Sequence, residues 1–138
     1  MLTPGEFQRQ CLCQALRRAA RKITRDYEAA YRSVGLTAGQ FSILAALSGD
    51  APKRLGEIAA ALGLDRTTLT RDLKPLKRRG LIEETTTADA RVRALSLSKQ
   101  GRALFRTAAP LWRAAQAAAK KRLAPLEIEA LKAALDKV

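Results

Sequence analysis

Apolar positions along this chain recur mainly at helical steps, and interruptions of that period divide it into elements. Leu12, Leu16, Ala20, Ile23, Tyr27, Ala30 and Val34 follow one another three or four residues apart, the spacing of one face of an α-helix. Thr3-Pro4-Gly5-Glu6 ahead of them supplies a Thr cap, a Pro at the first helical position and a Glu three residues after the cap. One long first helix ending at Gly35 is therefore predicted. Thr37 and Gln40 form a second capping box, which opens a helix through Phe41, Ile43, Leu44 and Leu47 to a stop at Gly49.

The stretch Arg54 to Ile82 organises the rest. Leu55, Ile58, Ala59 and Leu62 keep the helical period, Gly63 breaks it, and Asp65 restarts it with Leu69, Leu73 and Leu76. Two short helices joined by a tight turn, a helix-turn-helix, account for this pattern, with Asp65 as N-cap of the second helix. Pro75 removes one donor inside that helix and should kink it. Leu81 to Thr87 and Val92 to Leu97 then read as strands around an Asp89-Ala90-Arg91 turn, a two-stranded wing. Ser98 caps a long helix with Leu104, Ala108, Leu111, Ala115, Ala118 and Ala119 along one side and a bend expected at Pro110. A last helix is expected from Pro125, with Ile128, Leu131 and Leu135 inward. The fold class is mainly α with a small β-hairpin wing.

Charge gives this pattern a direction. The 138 residues carry 26 Lys and Arg against 13 Asp and Glu, a net charge of +13 with a pI near 10.7, which points to a polyanionic partner. With 47% hydrophobic residues the chain has the material for a core of one domain. No apolar run approaches the length of a membrane span and the amino terminus lacks a signal-peptide layout, so a cytoplasmic protein is expected. There is no histidine, no Gly-rich phosphate loop and no cluster of metal ligands, and the acidic residues are scattered singly; neither an enzyme nor a cofactor is expected.

On the second helix of the motif, with Leu69, Leu73 and Leu76 facing inward, Thr67, Arg71, Lys74 and Arg78 lie opposite, and Arg66, Thr67 and Thr68 occupy its first turn. These residue types suit duplex DNA. Arg donates bidentately to guanine, Thr meets base edges and Lys neutralises phosphate. The first turn is also the end of such a helix that enters the major groove.

The run DRTTLTRDLKPLKRRGLI, followed by D-A-R-V-R-A-L-S-L-S-K-Q-G from Asp89 to Gly101, resembles the MarR family of winged-helix regulators. The resemblance implies a homodimer held by helices in residues 1–34 and 98–138, with a winged helix-turn-helix in 37–97. It implies major-groove contacts from Arg66, Thr67, Thr68, Thr70 and Arg71, phosphate contacts from Lys74 and Arg78, and a wing whose Arg91 enters the minor groove beside Arg93. Asp89 is expected to hold the Arg91 guanidinium by a charge-assisted bond. Control of DNA binding by a phenolic, aromatic or peroxide effector is further implied. A sequence-indifferent architectural DNA-binding protein is the alternative.

Cys11 and Cys13 lie two apart, so on one helix they point about 200° from each other and form no disulfide. The segment L-C-x-x-L, with Tyr27 fourteen residues after Cys13, is similar to the first helix of the organic-hydroperoxide-sensing branch of that family. The similarity makes Cys13 and Tyr27 a candidate redox pair, against the plainer reading of an inert thiol bordering the apolar face. Arg17 stands where that branch has a second tyrosine, and no cysteine follows late in the chain. Cys11 is expected to point away from the core.

Overall fold

A computed structural model describes all residues from Met1 to Val138. The order is α1 (Pro4–Gln10), α2 (Leu12–Ala30), a short 3-10 turn (Arg32–Val34), α3 (Ala38–Ala46), β1 (Lys53–Arg54), α4 (Leu55–Leu62), α5 (Arg66–Arg78), β2 (Ile82–Thr86), β3 (Arg93–Leu97), α6 (Lys99–Arg122) and α7 (Ile128–Leu135). The three strands form one antiparallel sheet in the order β1-β3-β2. Lys53 pairs with Leu95, and Ile82 with Leu97, so β3 is the central strand.

Burial follows the predicted faces wherever two elements meet. Ile43 and Leu44 of α3, Ile58 of α4 and Leu69, Leu73 and Leu76 of α5 share one core with Leu81, with Ile82, Leu95 and Leu97 of the sheet and with Ala108 of α6. Gly63 ends α4 with φ of 64°, a left-handed conformation that a side chain would strain, and so sets the turn between α4 and α5. At Gly101 the backbone of α6 runs directly against the Leu81 carbonyl, where any Cβ would collide. The same carbonyl accepts from the Ser98 N–H at 3.0 Å, and the Ser98 hydroxyl both caps α6 at the Gly101 N–H and donates to the Gly80 carbonyl at 2.6 Å. The wing and the long helix are thus joined by close backbone contact.

Four expectations are corrected. The predicted first helix is two helices, because Cys11 adopts an extended conformation with ψ of 104°. No Pro or Gly marks this break. Instead the Cys11 sulfur takes the cap position and accepts from the Gln14 N–H at 3.4 Å. Cys11 is in consequence half-buried and Cys13 exposed, the reverse of the expected placement. A third strand, β1, joins the wing; at two residues it is too short to show alternation. The last helix starts at Ile128 and not at Pro125, since the chain from Leu123 first makes a turn closed by the Leu126 N–H on the Leu123 carbonyl. Pro75 and Pro110, by contrast, lie as expected within helices that continue past them, to Arg78 and Arg122.

Packing of α2 is one-sided within the chain. It lies along α6, with Asp26 paired to Arg122 at 2.8 Å and the Tyr27 hydroxyl donating to Gln116. Yet none of its residues is fully buried, and Leu12 and Ile23 of its apolar stripe remain exposed.

Candidate nucleic-acid interface

The N-terminus of α5 is held by Asp65, whose carboxylate accepts from the Thr68 N–H at 2.8 Å and from the Thr68 hydroxyl at 2.7 Å. Those two bonds, the backbone one first, hold the Asp65 carboxyl below its ordinary pKa. Thr68 is thereby engaged in the cap, not turned outward. With the helix start fixed and Leu69, Leu73 and Leu76 buried, Arg66, Thr67, Thr70, Arg71 and Lys74 are presented together along one open groove of about 340 Å³. The Thr70 hydroxyl donates to the Arg66 carbonyl at 2.8 Å, which leaves its methyl group and its oxygen lone pairs outward. Arg71 is widely exposed and makes only a contact at 3.3 Å with its neighbour Asp72. Arg78, one turn beyond Lys74, is exposed as well.

A second groove, of about 570 Å³, runs from α5 to the wing and is lined by Arg54, Leu55, Gly56, Glu57, Arg66, Arg91, Val92 and Arg93. Arg66 lines both grooves and so links the arginines of the wing to the cations in the middle of α5, with Glu57 the one carboxylate along the way. The Arg66 guanidinium lies over Gly56, where an added Cβ would come within 2.9 Å of it. Arg54 was not among the residues singled out from the sequence. It reads there only as one more cation before α4, and it is the β1–β3 pairing of Arg54 with Ala94 that brings it to the wing.

The wing itself is built by short local bonds. The Thr87 hydroxyl lies 2.9 Å from the carbonyls of both Asp89 and Val92, and the Val92 N–H donates to the Asp89 carbonyl at 2.9 Å. Asp89 acts differently from the expectation: its carboxylate accepts from the Arg91 backbone N–H at 3.0 Å and does not hold the guanidinium. An aspartate two residues before a turn position reaches that N–H more readily than the end of a long side chain. Arg91 is exposed at the tip. Arg93 pairs at 3.1 Å with Glu84, which Lys77 of α5 also contacts. These partners, Lys77 first, lower the Glu84 pKa, and they fasten the wing to α5.

Within a single chain Cys13 and Tyr27 are not brought together. They lie on one helix about 21 Å apart along its axis. Tyr27 instead packs edge-on to Tyr31, whose ring stacks on Phe41 at 4.7 Å, and Phe41 on Phe105 at 5.6 Å. This aromatic series lies where α2, α3 and α6 meet.

Comparison with known proteins points to DNA binding as well. Residues 34–91 match the MarR family. The transcriptional repressor CouR, in a structure bound to a 23-mer DNA duplex, is 30% identical, with 99% of this chain and 97% of that one covered and a TM-score of 0.84. The chain belongs to the MarR family. A second MarR-type structure, the M. tuberculosis transcriptional regulator MosR in complex with DNA, is 39% identical over 93% of this chain and 98% of that one, with a TM-score of 0.77. BpsR of Bordetella bronchiseptica, described with regulation of its DNA binding by 6-hydroxynicotinic acid, is 28% identical over 91% and 96% with a TM-score of 0.79. Among curated protein sequences none matches. The MarR fold, mostly helical with a small antiparallel sheet, is the one described above, and no helix is long and apolar enough to cross a membrane.

Proposed function

We propose that this MarR-family regulator is a sequence-specific, homodimeric repressor acting in the cytoplasm, with no enzymatic activity of its own. The observation that carries the reading is the predominantly cationic surface that runs from Arg91 through Arg66 to Arg71 and Lys74. Arg66, Thr67, Thr70 and Arg71 meet base edges in the major groove, Thr68 acts through the cap of Asp65, and Lys74 and Arg78 neutralise phosphates. Arg91 enters the minor groove, where narrow stretches concentrate negative potential, and Arg54 and Arg93 flank it. Asp89 supports the wing by shaping its turn.

Dimerisation through residues 1–34 and 98–138 is supported by the apolar side chains that a single chain leaves open. Phe7, Leu12, Ile23, Trp112, Leu126 and Leu135 are all exposed, and all belong to these two segments. A two-fold dimer presents its reading helices to half-sites about 34 Å apart. The aromatic series Tyr27, Tyr31, Phe41 and Phe105 favours a phenolic or aromatic effector bound between the helical body and residues 37–97. CouR has been described bound to p-coumaroyl-CoA and BpsR with 6-hydroxynicotinic acid. For an oxidant, the exposed Cys13 is the accessible thiol.

Selection from random-sequence duplexes tests the reading. A two-fold consensus is expected, and Arg71→Ala should relax preference at one base position per half-site by about 1–3 kcal/mol. Recovery of no consensus, or an even loss of affinity across all sequences on Arg71→Ala, would contradict it.

A further inference from the structure

One arginine ties the reading helix to the helical body. Arg79 directly follows α5 and turns back, so that its Nη1 donates to the Gly35 carbonyl at 2.8 Å and its Nη2 to the Val34 carbonyl at 3.2 Å. Those two carbonyls close the 3-10 turn that continues α2. At such a C-terminal end the carbonyls lack helical partners and carry partial negative charge, so a cation is favoured there. A planar guanidinium reaches two adjacent oxygens as a fork, whereas an ammonium acts as a single point. Arg79 makes none of the ion pairs in the structure, and its two terminal nitrogens are directed at the body, away from the groove lined by Arg66 and Lys74.

Both ends of this tie continue into packed structure. On the body side, Tyr31 accepts at its carbonyl from the Val34 N–H at 3.0 Å, is only 1% exposed and touches Tyr27, whose hydroxyl reaches Gln116 on α6. On the reading side, Arg79 is followed by Gly80, whose carbonyl accepts from Ser98 at the root of the wing. No other side-chain hydrogen bond or ion pair joins α5 to the turn after α2.

We propose that Arg79 is a positioning residue for DNA reading. Its two-pronged hold on Val34 and Gly35 sets the angle at which α5 leaves the α2–α6 body, and hence the separation of the two reading helices. The inference rests on the dimeric DNA-reading function proposed above. Arg79 is exposed, so replacing it opens no core.

The test compares wild type with Arg79→Lys, which keeps the charge, and Arg79→Gln, which removes it, on the selected operator and on versions with half-sites moved by one or two base pairs. Both variants should lose about tenfold in operator affinity, the scale of one charge-assisted hydrogen bond, and should bind the respaced duplexes about as well as the original. Arg79→Lys should keep wild-type affinity for random duplex and a wild-type melting temperature. A uniform loss on every duplex in Arg79→Gln alone would make Arg79 a phosphate contact, and an unchanged spacing optimum in both variants would overturn the proposal. A second readout needs no DNA: nitroxide labels at Thr70→Cys, with Cys11 and Cys13 replaced by Ser, report the distance between the two reading helices. That distribution should broaden in both Arg79 variants, and equal widths would refute the role. A wild-type protein without preference for any duplex would count against the function proposed above, while the label distances would still decide on Arg79.

Discussion

Two glycines separate folding from DNA contact at the scale of single residues. At Gly101 a Cβ meets the Leu81 carbonyl, which is itself held by the Ser98 N–H, and neither backbone can retreat. Gly101→Ala should therefore cost about 1–3 kcal/mol of stability, read as a lower urea midpoint; an unchanged midpoint would show that α6 and the wing are looser than described. At Gly56 the obstacle is the flexible end of Arg66, and Gly56 lies inside α4. Gly56→Ala should leave stability equal or raise it by up to about 1 kcal/mol, while displacing Arg66 and weakening DNA binding. Equal DNA affinity in this variant would remove Arg66 from the contact surface. The cationic residues of α5 were legible in the sequence because helical geometry alone separates their face from Leu69, Leu73 and Leu76. What Thr68 and Asp89 do was not, since a hydroxyl or carboxylate with several partners in reach chooses among them by local backbone geometry that spacing does not encode.

Within elements, the pKa shifts give two limbs of opposite sign. Asp65 caps α5 and Glu84 joins it to the wing, and both carboxyls are held below their ordinary values by their partners. A depressed acid contributes stability above its unfolded pKa and loses it as pH falls through the folded one. Helix α5 should accordingly loosen below the carboxylate range near pH 4. Asp65→Asn should retain the cap and blunt that acid loss, while Asp65→Ala should lower the melting temperature even at pH 7; identical acid limbs in all three proteins would contradict the role of the cap. Tyr31 gives the alkaline limb. Burial first, then neighbouring Tyr27, pushes its phenol up to about 12 from 10.0, so its contribution is complete below pH 10 and disappears as pH rises through 12. Unfolding free energy should fall across that window, less steeply in Tyr31→Phe, and a variant with the same slope would show that the phenol is not sequestered. Helices and wing strands were predictable from period and caps, including both capping boxes at Thr3 and Thr37. The break at Cys11 and strand β1 were not, because a thiol cap resembles any half-apolar helical residue and two residues cannot establish alternation.

For the whole molecule, charge and apolar exposure point in different directions and together describe a regulator. Residues 1–34 and 98–138 carry 16 Lys and Arg against six Asp and Glu, and residues 35–97 ten against seven. Most of the net charge thus lies outside residues 35–97, where it adds long-range attraction to DNA that salt screens, while the proposed function assigns base discrimination to the few side chains of α5. The apolar residues left open on α1, α2 and α6 call for a second copy, and sedimentation at micromolar concentration should give twice the 15.0 kDa chain mass; a monomer there would remove the paired half-sites. The most direct measurement of the central claim is a fluorescence-anisotropy titration against the duplex upstream of the protein's own gene and against the scrambled sequence, at near-physiological salt. A preference of about a thousandfold or more for the upstream duplex is the expected result. Equal, steeply salt-dependent binding to both, with no consensus from random-sequence selection, would contradict sequence-specific regulation.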